Sequence, residues 1–325
     1  GEHMPRAMDV LGDISLKSLF QQQDLHKEKD VILQEISMVE DTPDDLIHDL
    51  HCREFWADQS LGRPVLGTPE SLRAVERAHV VDYHTDRYQG DRMIITAAGA
   101  LDPEVFLAEV SRTFGSLSSS GRPYLRPAPT ATPRVYVQER QVEQVHFCAG
   151  YRGLRADDHR RYAMFLLNTL LGGGMSSRLF QKIREEYGLA YSVYSYHAAY
   201  QDTGMHAVYC GTSREGFAKA LEIINDETRL LASERVGAEE LTTGKRQLKG
   251  NLLLGLESTS NRMNQLARDE IYFGRHVPVE EIEEGIETVT ADQIRDLAAD
   301  LFRKEHMALT VIGPVSEDEV RRVRG

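Results

Sequence analysis

Glu28 and Glu35, and Arg184 and Tyr191, are pairs set seven residues apart whose side-chain types could do chemistry together. The two glutamates fall in LHKEKDVILQEISMVED, where Leu25, Ile32, Ile36 and Val39 share one face of a helix and Asp24 is a residue type that caps one. Seven residues make two helical turns, about 10 Å along the axis, so both carboxylates project from one side. Ile32 and Ile36 flank Glu35 and bring it near the apolar stripe, where an ionised carboxylate needs a cation or hydrogen-bond donors. One of the pair could thus face a metal; the other reading is a solvent-facing glutamate paired with Lys27 or Lys29.

Arg184 and Tyr191 are separated by Gly188, which ends the helix SSRLFQKIREEY after a start capped by Ser176. Arg184 then leaves the last helical turn and Tyr191 opens the next strand, so the two can converge on one cavity. A fixed cation beside a phenol suits an oxyanion or a substrate carbonyl; the competing reading is a surface arginine and a core tyrosine. Gly172, Gly173 and Gly174 precede that helix as a phosphate cradle would, yet GxxxxGK[ST] is absent, and a substrate-facing loop fits better. His48 and His51, and His79 and His84, lack a glutamate at zincin spacing and read as histidines satisfied within helices.

These residues need a scaffold, and the pattern supplies one. Helices are expected over Gly1–Phe20, Leu25–Asp41 and Asp44–Trp56. Arg134–Glu139 and Glu143–Tyr151 alternate as strands, the second with Val145, Phe147, Ala149 and Tyr151 on one face. A helix over Asp157–Leu171 follows. Ala190–Ala199 and Gly204–Gly211 form a hairpin around Gln201-Asp202-Thr203, three helical patterns run from Arg214 to Arg303, and a strand over His306–Ile312 closes the chain. The mixture is α+β, with helices layered on a mostly antiparallel sheet, rather than a doubly wound fold.

Residues 284–307 repeat residues 70–93 without a gap: Leu72 meets Ile286, Val80 meets Ile294, Tyr88 meets Phe302 and Met93 meets Met307. The same offset of 214 carries MIITAAGALDPEVF over MALTVIGPVSEDEV, with Gly99 on Gly313. Two copies of one α/β sandwich domain are expected. The breaker-rich stretch 118–133 reads as a linker between residues 1–117 and 134–325. Projecting the start of the second copy back by that offset places the opening of the first roughly 80 residues before Gly1, so the first domain is expected to lack its N-terminal part.

Composition restricts the partners. The net charge of −13 is carried by interspersed acids and bases, which argues against nucleic acid. No apolar run reaches membrane-spanning length. Cys52, Cys148 and Cys210 are far apart and form no CxxC, as expected of reduced thiols in the cytoplasm.

Two segments resemble one known family. GGGMSSRLFQKIREEYGLAYSVYSY is similar to the C-terminal-domain signature of the pitrilysin and mitochondrial processing peptidase family, the inverted-motif zinc metallopeptidases, and EKDVILQEISMVEDTPDDLIHDL is similar to its segment with the distal zinc-binding glutamate. The resemblance implies that Glu35 is a zinc ligand and that Glu28 is its supporting catalytic acid. It assigns Arg184 and Tyr191 to the substrate-binding, catalytic side and Gly172–Gly174 to substrate recognition. It also implies a metalloendopeptidase of the bacterial processing-protease type that acts as a homodimer on peptides or unfolded protein.

No HxxEH, the motif that supplies the family's histidine ligands and general base, occurs between Gly1 and Gly325. This chain is therefore expected to be inactive alone, with zinc bound only in a complete enzyme. The alternative is a non-catalytic subunit or peptide-binding relative, which has no chemical reason to keep both Glu28 and Glu35.

Overall fold

The computed structural model describes residues 3–119 and 126–324. The first part contributes helices α1 (Met4–Leu16), α2 (Gln22–Asp41), α3 (Pro43–Phe55), α4 (Pro69–Ala74), α5 (Arg77–Arg87) and α6 (Pro103–Phe114). The second begins with strands β1 (Val135–Glu139) and β2 (Val145–Arg152), helix α7 (Arg161–Gly172), a π-helical turn (Phe180–Glu186) and the hairpin β3 (Ala190–Ala199) and β4 (Gly204–Thr212). It continues through α8 (Arg214–Ser233), α9 (Ala238–Gly255), α10 (Thr259–Phe273), α11 (Val279–Glu287), α12 (Ala291–Leu301), β5 (Ala308–Gly313) and α13 (Glu317–Arg324). The stretch from Arg214 to Arg303 thus holds five helices, not three, because Gly255, Gly274 and Thr288 interrupt what reads as continuous periodicity.

The fold is α+β. One five-stranded sheet runs in the order β1-β5-β2-β4-β3, parallel between β1 and β5 and antiparallel elsewhere. The alternation in β2 is realised, with Val145, Phe147, Ala149 and Tyr151 in the main core against α7, α8 and α12. The three thiols are free, Cys148 and Cys210 buried and Cys52 half-buried.

The repeat is visible in local structure. At the offset of 214, Arg77–Arg87 coincides with Ala291–Leu301, the 3₁₀ turn Gly90–Arg92 with Lys304–His306, and Pro103 with Glu317 at the start of α6 and α13. Both long helices also open with a capping box, at Glu76 and at Thr290. The copies differ where β5 stands: residues 93–98 form no strand, since the described residues of the first copy offer no ladder partner.

The chain divides into two compact units, and neither is a continuous half. One comprises Gly1–Ser37, Leu66–Pro127 and Leu253–His276; the other comprises Met38–Val65, Ala128–Leu252 and Val277–Gly325. The division expected at the linker is thus crossed by two exchanged segments, and residues 120–125 of that linker lie outside the described residues.

Within the first unit, Arg77 donates to the Phe20 and Leu19 carbonyls at 2.8 and 3.0 Å and so fixes the turn after α1, where Phe20 takes a left-handed φ of 47°. His84 Nε2 lies 2.7 Å from the Ser15 carbonyl, and His79 Nδ1 accepts the Glu76 N–H in the capping box. Each histidine thus has one ring nitrogen hydrogen-bonded within this unit.

The second unit holds residues 38–65 for a physical reason. On α3, Ile47, Phe55 and the adjoining Trp56 are fully buried, and the helix packs on the sheet face opposite the main core. Burial of side chains of this size stabilises by about 1.5–3 kcal/mol each. The end of the linker is tied in as well: Thr132 donates to the Phe55 carbonyl at 2.8 Å, and Gln59 brackets Thr130 at 2.7 and 2.8 Å.

The α3 contact depends on a missing side chain. A Cβ on Gly150 of β2 would lie 2.1 Å from His51 Nε2 and 3.3 Å from the Phe55 ring. Gly150→Ala should therefore lower stability by about 1–3 kcal/mol, as overpacking of a filled site does. Urea titration of the two proteins checks this, and equal midpoints would contradict the packing described.

Candidate functional site

The segment from α7 to β3 builds the strongest candidate site. α7 ends at Gly172, and a Cβ there would sit 2.4 Å from the Ser195 amide nitrogen, so glycine is required by the approach of the helix end to β3. Beneath it, the Ser195 hydroxyl donates to Asn168 Oδ1 at 2.9 Å, and His206 Nε2 lies 3.2 Å from the same oxygen. Burial pushes the fully enclosed His206 imidazole down to about 3.

Ser176, expected as a helix cap, instead donates to Gln247 Oε1 at 3.1 Å; the Ser177 hydroxyl takes up the Gly174 carbonyl at 2.5 Å. Beside this loop a pocket of about 410 Å³ is lined by residues including Thr169, Ser176, Glu239, Glu240 and Gln247.

The next segment is a π-helix rather than an ordinary helix. Tyr187 N–H bonds the Lys182 carbonyl five residues back, and Leu189 N–H bonds Ile183 six back, closing over Gly188 at φ 60°. Its widened register is held from below by charge. Glu227 of α8, 2% exposed, is bridged by the Lys182 ammonium and by Arg178 at 3.5 Å, while Arg178 also grips Glu240 with two bonds of 2.6 and 2.8 Å. These carboxylates raise the pKa of both cations, Arg178 chiefly through Glu240 and Lys182 chiefly through Glu227. Nothing in the sequence pairs these four residues; the only local signal is Arg178 and Lys182 four apart.

Arg184 and Tyr191 are brought together by this turn. Arg184 Nη1 donates to the Tyr191 carbonyl at 3.0 Å, and its guanidinium lies 4.3 Å from the centre of the Tyr191 ring and 4.9 Å from that of Phe180. The β3–β4 register shifts between Ala190 and Ser192, so Tyr191 occupies a bulge and is 78% exposed. A bulge re-aims a side chain and increases local twist. The tyrosine is therefore no core residue, and the arginine is stacked between two rings rather than free on the surface. A cation on an aromatic face gains about 0.5–2 kcal/mol.

Glu28 and Glu35 belong to the first unit. Both are exposed, and among the described residues neither makes an ion pair; Ile36 is the buried residue of α2. Of the apolar stripe only Ile36 is enclosed, and Glu35 beside it is exposed. Lys29, a proposed ion partner, donates instead to the Arg73 carbonyl at the end of α4 at 3.0 Å.

Among the described residues no group of three or more histidines, cysteines and carboxylates could hold a metal ion. A catalytic zinc takes three protein ligands, and Glu35 offers one oxygen-donor side chain. The residues present do not by themselves make a zinc site.

A model of the insulinase family, peptidase family M16, matches residues 1–69, and one described as the peptidase M16 inactive domain matches residues 74–248. The uncharacterized zinc protease YmxG of Bacillus subtilis is 38% identical over 96% of this chain and 76% of its own length; an uncharacterized zinc protease of Streptomyces coelicolor is 37% identical over 98% and 71%. Among solved structures, a protease from Helicobacter pylori superposes with a TM-score of 0.88 at 16% identity, covering 97% of this chain and 77% of that one. A chain of complex III2 from Candida albicans superposes at 0.90, also at 16% identity, covering 99% and 80%.

The glycine loop gives a graded prediction. Gly172→Ala meets backbone and should cost about 1–3 kcal/mol, whereas an alanine Cβ at Gly174 meets only the end of the Gln247 side chain at 2.8 Å and should be nearly neutral. Thermal melts of the two variants distinguish these, and equal losses would place the constraint outside the Gly172–Ser195 approach.

Proposed function

As a member of peptidase family M16, this chain is one from which we propose the substrate-gripping part of a zinc metalloendopeptidase of the processing-protease type. The observation that carries this reading is the pairing of Arg184 with Tyr191 at a bulge that exposes the phenol. A phenol hydroxyl donates one hydrogen bond and a guanidinium carries five N–H donors, so the pair can hold a peptide carbonyl and stabilise negative charge on its oxygen.

β3 is an edge strand with neither charge nor proline in AYSVYSYHAA, which leaves its outer row of N–H and C=O groups suited to pairing with an extended peptide. Gly172–Gly174 lie at the end of α7 that abuts this strand and would contact the same chain of substrate.

In this reading zinc is the cofactor of the assembled enzyme, with Glu35 as one ligand and Glu28 as the acid that supports it. No HxxEH lies within the 325 residues, and no hydrolytic step is derived from this chain's residues. The substrate is a peptide or unfolded protein, and two copies of the chain form the working dimer. Nucleic acid is no partner of a surface with charge −13, and three free thiols accord with a cytoplasmic setting. No described helix is long and apolar enough to cross a membrane.

Tyr191→Phe in the zinc-loaded peptidase tests this reading. Loss of one oxyanion donor should lower kcat/KM by about 10- to 1,000-fold, with zinc content unchanged because Tyr191 is not a ligand. Unaltered kinetics, or loss of metal, would remove Tyr191 from the substrate grip.

A further inference from the structure

α3 is held on the sheet by apolar contact and by a set of neutral polar groups. His51 is fully buried; its Nδ1 lies 3.0 Å from the Thr310 hydroxyl of β5, and its Nε2 has no partner and faces Gly150 of β2. His48, one turn earlier, sits between the Tyr194 hydroxyl at 2.9 Å and the Tyr196 hydroxyl at 3.2 Å, both from β3. On β2, His146 Nδ1 is 2.9 Å from the Tyr209 hydroxyl of β4, and Cys148 lies 3.8 Å from His48.

The carboxylates of the region are committed or distant. Glu54 is engaged by Arg53 and Arg134, and Arg53 also lies over the Tyr136 ring of β1. Asp44, Asp45 and Asp49 act on His48, whereas the charge that reaches His51 is that of His48, which opposes a second cation.

We propose that the seat of α3 on the sheet is an acid-releasable latch whose sensing group is His51. A protonated imidazole at this position would carry two N–H donors, one to Thr310 and one aimed at the Gly150 backbone with no acceptor. Docking therefore selects the neutral ring. Lifting α3 away returns the imidazole to water, where it takes a proton near pH 6.5.

The direction of the effect follows from burial, which pushes the docked imidazole down to about 3. A group with a lowered folded pKa contributes fully above its free value, and that contribution is lost as pH falls from about 6.5 toward the docked value. From pH 7.5 to 5.5 the docking equilibrium should weaken by about 10-fold through this one residue. Burial also lowers the pKa of the docked His48, against the opposing pull of Asp45, Asp49 and Asp44, so this ring too favours the neutral form while α3 is seated.

Hydrogen exchange followed by mass spectrometry on the whole chain, corrected for the intrinsic pH dependence of exchange, tests the latch. Residues 43–56 should deuterate about 10-fold faster at pH 5.5 than at pH 7.5, while β4 stays undeuterated over the same interval. His51→Gln, which cannot take the proton, should cut the difference to the part that His48 contributes. Equal rates at the two pH values, deuteration of β4 together with α3, or an undiminished acid response in His51→Gln would each overturn the proposal. If the variant does not fold, the comparison within the wild-type chain decides alone.

Discussion

The buried carboxylate of Glu227 is the constraint from which the candidate site is built. An ion at 2% exposure cannot stand alone in a protein interior, and both cations that neutralise it, Arg178 and Lys182, come from the segment that follows the glycine loop. That requirement orients the segment on α8, and its turn closes with the wide π register over Gly188. Arg184 then leaves the turn against Tyr191, and the β3 bulge presents the phenol outward. A structural ion cluster thus fixes a pair of groups that are not themselves part of it.

A second constraint joins the far face of the sheet to α3. The glycine at Gly150, the hydroxyl at Thr310 and the ring of His51 occupy one closely filled site, so the helix can approach only with that imidazole neutral. The aromatic residues Phe55 and Trp56 supply the apolar area, and the histidine makes the contact sensitive to solution conditions.

Much of the fold was legible in the sequence because its signals are local. Period-two alternation in Val145–Tyr151 located β2 and its buried face, the turn residues after Ala199 located the hairpin, and the repeat at offset 214 pointed to the correspondence of α5 with α12. Tertiary effects were not legible. The turn's Lys182 pairs with Glu227 some 40 residues further on, and α3 joins the second unit through contacts with strands about a hundred or more residues away. The spacing of Arg184 and Tyr191 suggested convergence, but not the stacking and the carbonyl bond that hold them. Periodicity placed Glu28 and Glu35 on one helix; it could not tell that α2 buries so little of its apolar face that both carboxylates remain exposed.

The proposed peptide grip centred on Arg184 and Tyr191 should work in this chain alone. Binding of a fluorescent extended peptide to the 325-residue chain, followed by anisotropy with a chelator present, tests that claim most directly. The account predicts saturable binding that weakens by at least about 10-fold in Tyr191→Ala, a loss on the scale of a truncated interface anchor, with the thermal midpoint unchanged. Binding equally tight in Tyr191→Ala and in wild type would contradict it.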